Sequence, residues 1–216
     1  MSMGRRALRT DGEATYTRIL ETAGELFAQS GFAETTNKAI AAQAEVDLAS
    51  INYHFGSRGG LYEAVLKAAH GGLVDTEALR VLGEADLPAR DKLRRLIEAL
   101  VDGATADGDW RARVLAREIL SPSSHLQTIL QGAMVEKLPT LLGVLGQITG
   151  IAPGDPALLR CAISVMAPCA MLLVVGRNAS PFAQNIRDMP RADLVEHLYG
   201  FAIGGLEAVG RSRRGA

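Results

Sequence analysis

The residues best suited to chemistry in this sequence are Asn52, Tyr53 and His54, joined by Ser50 in a stretch from Leu48 to Ser57 that carries no Asp, Glu, Lys or Arg. An amide, a phenol, an imidazole and a hydroxyl can all donate to phosphate oxygens or touch base edges. Catalysis has less to build on. His54, His70, His125 and His197 are scattered, with neither the His-x-x-x-His nor the Cys-x-x-Cys spacing that a metal site uses. There is no phosphate-cradling glycine loop and no Gly-x-Ser-x-Gly turn. The expectation is a protein that is not an enzyme and holds no cofactor or metal.

The elements that must position these residues are short helices. From Tyr16 to Ser30, Ile19, Leu20, Ala23, Leu26 and Phe27 form the stripe of an amphipathic helix, and Gly31 ends it. Thr35-Thr36 offers an N-cap for a second helix over about 37–44, with Ile40, Ala41 and Ala44 inward. Asp47 caps a third, which turns Ile51 and Phe55 inward and leaves Ala49, Ser50, Asn52, Tyr53 and His54 outward. Ser57 caps a fourth, with Leu61, Tyr62, Val65, Leu66 and Ala69 on one face. Two short helices joined by a tight turn match a helix-turn-helix. A solvated helix face usually carries Lys and Glu. The outward face of the third helix carries no charge and one large aromatic, which favours contact with a partner.

Charge adds no support. The net charge of the 216 residues is -1, and residues 1–70 hold seven Lys/Arg against eight Asp/Glu. Binding to nucleic acid would therefore rest on a few placed groups and not on a basic coat. Arg5, Arg6 and Arg9 are a candidate flexible arm for the phosphate backbone; Arg211, Arg213 and Arg214 read as a solvated tail. Hydrophobic residues at 48% and aromatics at 5% favour a helical core over a sheet. Cys161 and Cys169, about 12 Å apart if they share a helix, are too distant for a disulfide and suit a cytoplasmic protein. The chain opens on arginines with no apolar run behind them, so no signal peptide is expected. The apolar uncharged run Cys161 to Gly176 is sixteen residues, shorter than the roughly 20 that span a bilayer, so no membrane segment is expected.

Over about residues 16 to 66 the sequence resembles the TetR-type bacterial regulators. The resemblance is carried by Ile19-Leu20, Ala23, Leu26-Phe27 and Gly31-Phe32. It continues through Thr35-Thr36, Ile40-Ala41, Ala44, Val46, Asn52-Tyr53-His54-Phe55-Gly56-Ser57-Arg58 and Leu61-Tyr62. It implies that the third helix enters the major groove, and it implicates Thr36, Lys38, Ser50, Tyr53, His54 and Arg58 in DNA contact. Ala49 and Asn52 join them from the outward face. Three positions depart from the pattern. Asn52 stands where most members have Tyr, Glu45 stands at the turn glycine, and Arg58 replaces the usual Lys. A non-glycine in a left-handed turn costs roughly 1 kcal/mol, so a differently shaped turn is expected at Glu45.

The fold class is then all-α: a three-helix helix-turn-helix head over 1–70, and a larger helical ligand-binding and dimerisation domain over 71–216. Five further helices are expected in the second domain, near 91–106, 110–120, 123–147, 156–177 and 191–210, with Pro139 bending or breaking the third of them. The helix at 157–177 is apolar nearly all round and needs cover on every side. The last helix sets Leu194, Leu198, Phe201, Ala202 and Leu206 beside Gly200, Gly204 and Gly205. The resemblance implies that these two helices pair across a two-fold axis, giving a homodimer and an inverted-repeat operator in double-stranded DNA. It also implies a cavity for an unknown small-molecule effector, for which Trp110, Arg113, Arg117, Glu118, His125, Met134, Met166 and Met171 are the candidates. Core packing is the commoner role for a lone Trp such as Trp110 and for methionines. The run Arg117-Glu118-Ile119-Leu120-Ser121-Pro122 resembles a subgroup of the family that senses drug-like or other xenobiotic compounds. Two alternatives compete with a ligand-released repressor: an all-helical small-molecule-binding protein or enzyme without DNA binding, and an architectural DNA protein without a sensor.

Overall fold

The computed structural model describes residues 3–106, 108–175 and 180–214, with the side chains of 3–10, Ala133 and Met134 outside that description. Every element among them is helical: α1 (Met3–Glu34), α2 (Asn37–Gln43), α3 (Leu48–Phe55), α4 (Arg58–Leu73), α5 (Thr76–Glu84), α6 (Ala89–Thr105), α7 (Trp110–Leu120), α8 (Ser124–Thr149), α9 (Pro156–Val175), α10 (Pro181–Arg187) and α11 (Arg191–Arg214). The chain divides into two compact units. One is Met1–Ala69 with Asp109–Ile129, and the other is His70–Gly108 with Leu130–Ala216. The division falls at Ala69, inside α4, and the unit that holds the head also takes in α7 and the start of α8.

In the first unit, Ile19, Ala23 and Phe27 of α1 are buried with Ile40 and Ala41 of α2, Ile51 of α3, and Leu61, Val65 and Leu66 of α4. The amphipathic stripes read from the sequence are thus the faces that pack. α1 also lies along α7 at Gly24, where even a Cβ would stand 2.4 Å from the Trp110 ring. Trp110 is 3% exposed and its indole N–H donates to Glu21 at 2.6 Å. Backbone at Gly31 (φ 81°, ψ 172°) interrupts α1 before its last turn, as the glycine predicts. The segment expected as a flexible arm is instead helical backbone, because α1 begins at Met3. The side chains of Arg5, Arg6 and Arg9 lie outside the described set.

In the second unit, α6 packs on both α9 and α11, and Leu93, Ile97, Val101, Leu145, Leu158 and Val165 lie in the shared core. α11 comes closest at Gly210, where a Cβ would meet the Thr149 carbonyl at 2.4 Å. Two helices here are additional to the expected five, α5 and α10. Each is capped by a side chain, Asp75 accepting from the Ala78 N–H at 2.8 Å and Ser180 from the Ala183 N–H at 3.2 Å. Pro139 does not break α8, which runs through it. The carbonyl that loses its donor belongs to Val135, a residue 77% exposed, so water can take the place of the missing N–H.

α9 also departs from its expectation. Its most apolar eighteen-residue window has a mean hydropathy of 2.2, and the helix is long and apolar enough to cross a membrane by length and composition. Only 33% of its most apolar window is buried within the chain. Leu159, Ile163 and Met171 are exposed, as is Phe201 on the neighbouring α11.

Candidate nucleic-acid interface

The helix-turn-helix is set by caps at both ends of its turn. Thr36, in extended backbone, accepts the Ala39 N–H on its Oγ1 at 3.1 Å and so opens α2. α2 closes with the Val46 N–H on the Ala41 carbonyl (3.0 Å) and the Glu45 N–H on the Ala42 carbonyl (3.4 Å), the paired bonds of a Schellman stop. That stop requires a left-handed residue, and Glu45 supplies it at φ 53°. The turn therefore keeps the shape a glycine would give it, contrary to the expectation of a different one; the two bonds outweigh the conformational cost. Asp47 then opens α3. Its Oδ1 accepts both the Ser50 N–H (2.6 Å) and the Ser50 hydroxyl (2.7 Å), which hold its carboxyl below the usual range, the side-chain bond contributing most.

α3 is buried at Ile51, while Phe55 is half-buried and stacks on Tyr16 with ring centroids 4.6 Å apart. Residues 48, 49, 52 and 53 are neighbours on the opposite surface by helical spacing. Leu48 is 50% and Tyr53 85% exposed, and Ala49 and Asn52 are exposed beside them. Leu48, outside the contact set expected from the sequence, shares this exposed surface; its position four residues before Asn52 was the available signal. α3 is held against the start of α4 at Gly60, where a Cβ would come within 2.2 Å of the Phe55 carbonyl.

The other expected contact residues divide into two groups. Thr36 and Lys38 are exposed at the N-terminal end of α2. Ser50, His54 and Arg58 are half-buried and already engaged. Ser50 serves the Asp47 cap, and His54 lies edge-on to Tyr53 and Tyr16 with centroids 5.0 and 6.1 Å away. Arg58 donates to the Thr35 carbonyl at 3.1 Å and covers the Phe32 ring at 4.3 Å. These three brace the exposed face more than they extend it.

The eight candidate effector residues do not gather within either unit. Trp110, Arg113, Arg117, Glu118 and His125 belong to the unit of the head, and Met166 and Met171 to the other. The Met134 side chain lies outside the described residues. Trp110 is core. Arg113 pairs with Glu25 and Arg117 donates to the Gln29 carbonyl at 3.2 Å, both on α1. Of the pair Arg117 and Glu118, the glutamate is the one turned inward: it is 3% exposed and accepts from Tyr62 Oη (2.5 Å), Ser123 N (2.8 Å) and Ser123 Oγ (3.1 Å). Burial, with this bond next in weight, pushes the Tyr62 phenol well above its usual range. His125 contacts Glu63 at 3.0 Å through Nδ1 and packs on Phe32 and Tyr62. Met166 is half-buried against the second core and Met171 is exposed. A groove of about 210 Å³ does occur in the second unit, between α9 and α11, lined by Val165, Phe201, Ala202, Leu206 and others.

A helix-turn-helix capped on both sides, followed by a helical second unit, is the architecture of a bacterial regulatory protein. Residues 19–65 match the family model "Bacterial regulatory proteins, tetR family", and residues 89–206 match "HTH-type transcriptional dual regulator CecR, C-terminal domain". The chain belongs to the TetR family, with a C-terminal domain of the CecR type. The probable HTH-type transcriptional regulator YttP of Bacillus subtilis is 25% identical over 126 residues, a match covering 57% of this chain and 59% of that protein, so the chain matches less than two thirds of its length. Three solved structures share the fold. The fatty acid degradation regulator FadR of Bacillus halodurans has 16% identity and a TM-score of 0.70, over 89% of this chain and 96% of that one. FadR of Bacillus subtilis, solved in complex with stearoyl-CoA, has 18% identity and a TM-score of 0.69, over 88% and 98%. A TetR-like transcriptional regulator from Rhodococcus sp. RHA1 has 21% identity and a TM-score of 0.64, over 89% and 95%.

Proposed function

We propose that the chain is a cytoplasmic, homodimeric transcription repressor that binds an inverted-repeat operator in double-stranded DNA and is released by a small molecule. The observation that carries the DNA-binding part is the exposed, uncharged face of α3, with Tyr53 85% exposed and no internal task for its hydroxyl among the described residues. Thr36, Lys38 and Tyr53 supply phosphate contacts, while Ser50, His54 and Arg58 hold the face in register. Dimerisation is supported by the uncovered apolar surface of α9 and α11 around Ile163, Met171 and Phe201, a surface that monomeric proteins rarely leave to water. Gly200, Gly204 and Gly205 meet nothing within 4 Å of a built Cβ, leaving room for a partner helix to approach.

An effector role is supported by the size of the second unit, which the head does not need, and by the stearoyl-CoA found in the Bacillus subtilis neighbour of the same fold. A ligand that binds better to one spacing of the two heads would draw the dimer to that spacing and weaken its grip on successive grooves. No catalytic step is assigned. The test is a screen of drug-like compounds for binding to the chain, followed by titration of its selected operator with each binder. The reading expects at least one binder to reduce operator affinity tenfold or more, roughly 1.4 kcal/mol. Binders that all leave operator affinity unchanged would refute release by a ligand.

A further inference from the structure

The exposed surface of α3 also carries information about which bases it meets. This inference rests on the DNA-binding reading above and asks what sequence class the helix recognises. Guanine is most often read by Arg or Lys, which bond its O6 and N7; adenine by Asn or Gln, which bond N6 and N7; the thymine methyl by apolar side chains. α3 contains no Arg or Lys among its eight residues. Its exposed first turn is Leu48 and Ala49, two aliphatic groups, and one turn on stands Asn52. The Asn52 amide makes no hydrogen bond with any described residue, so both its donor and its acceptor are available. Leu48 and Asn52 are four residues apart and so lie one above the other on the helix surface.

Apart from Tyr53, assigned above to the phosphate backbone, the remaining polar groups on or beside this face have other tasks. Ser50 donates to Asp47, and the Asp47 carboxylate holds the start of α3. His54 is packed between Tyr16 and Tyr53. Lys38 lies on α2 and Arg58 is bound to the Thr35 carbonyl, so neither places a cation on the α3 surface.

We infer that α3 reads A·T pairs: Asn52 bonds the N6 and N7 of an adenine, while Leu48 and Ala49 pack on neighbouring thymine methyls. The helix thereby selects an operator whose half-site core is A·T-rich.

The full-length chain is used to select duplexes from a random library, and the enriched site is then measured by fluorescence anisotropy at fixed salt. The expected half-site has A·T pairs fixed at two or more adjacent positions. Replacing thymine by deoxyuridine at those positions, which removes only the methyl, should weaken binding about threefold or more per site, and 7-deazaadenine at the Asn52 position about tenfold. Asn52→Ala should lose the preference for adenine at one position while the other fixed positions keep theirs, and Asn52→Arg should shift that position towards guanine. Because Asn52 is exposed, unchanged helical circular dichroism is expected in both variants. A half-site core fixed only at G·C pairs, or base preferences unaltered in both Asn52 variants, would overturn the inference and leave DNA binding standing. Enrichment of no duplex at all would overturn both.

Discussion

Glu45 shows how a single residue can disagree with its position and still leave the local structure intact. It takes the left-handed conformation at φ 53° because the two Schellman bonds at the end of α2 require it there. An L-residue in that region costs about 1 kcal/mol relative to glycine, offset in part by the extra chain entropy that glycine loses on folding. Glu45→Gly should therefore raise the unfolding free energy by about 0.5–1 kcal/mol, read from the urea midpoint. A lower midpoint would mean that the turn is relaxed as it stands. The sequence identified the departure, but not that the turn would hold, because the competing bonds are made by backbone and leave no trace in residue type. Arg58 is a similar case. Its charge is legible, but its use is not, since the Phe32 ring and Thr35 carbonyl that engage it come from 26 and 23 residues earlier in the chain. Tyr53 and Asn52, by contrast, were legible from helical periodicity, because an outward face needs only its own helix to define it.

Among the elements, those marked by an apolar pattern or a capping residue were the readable ones: α1 to α4, α6 to α9 and α11. α5 escaped because one residue, Leu79, is its buried anchor, and α10 because it has only seven residues, with Ala183 buried. Their capping residues Asp75 and Ser180 were the signals available. The C-terminal end of α4 is closed by a lysine from α8. Lys137 Nζ donates to the Val74 carbonyl and lies 3.2 Å from His70 Nδ1. Burial chiefly, and the Lys137 ammonium next, push His70 down to about 4. Asp75 and Glu136 are the acids near Lys137, and they favour its charged form. With the folded value below the ordinary one near 6.5, the unfolded chain takes up the proton first. Stability from this site is therefore full above about pH 6.5, falls as the pH drops towards 4, and levels below that. The loss at pH 5 relative to neutrality should be on the order of 2 kcal/mol. Denaturant unfolding at pH 7 and pH 5 measures it, and His70→Gln, which takes no proton, should lose most of that difference. Equal pH dependence in the two proteins would remove His70 as its source.

At the scale of the whole molecule, the sequence predicted all-helical architecture and a second helical unit, and the comparisons place the chain in the TetR family. The pool of effector residues was the least legible part. Side chains such as Trp110 and Glu118 have the right chemistry for a pocket, yet Trp110 donates to Glu21 and Glu118 accepts from Tyr62, both within the head unit. The apolar surface of α9 and α11 predicts assembly. Ile163 and Phe201 are 66% and 73% exposed within the chain, so charge at these sites should be tolerated by the fold and not by a dimer. The double variant Ile163→Glu, Phe201→Asp should sediment as a folded monomer, with dimer affinity reduced roughly 100-fold or more. A dimer of unchanged stability would place the interface elsewhere.

The central claim, that the α3 face binds DNA, is tested most directly by measuring wild-type chain and Tyr53→Ala against the duplex selected from a random library, across a salt series. The account predicts tight, salt-sensitive binding to an inverted repeat by the wild type. It predicts a loss of tenfold or more in Tyr53→Ala, with circular dichroism and unfolding midpoint unchanged. Enrichment of no duplex, or equal affinity in the two proteins, would contradict it.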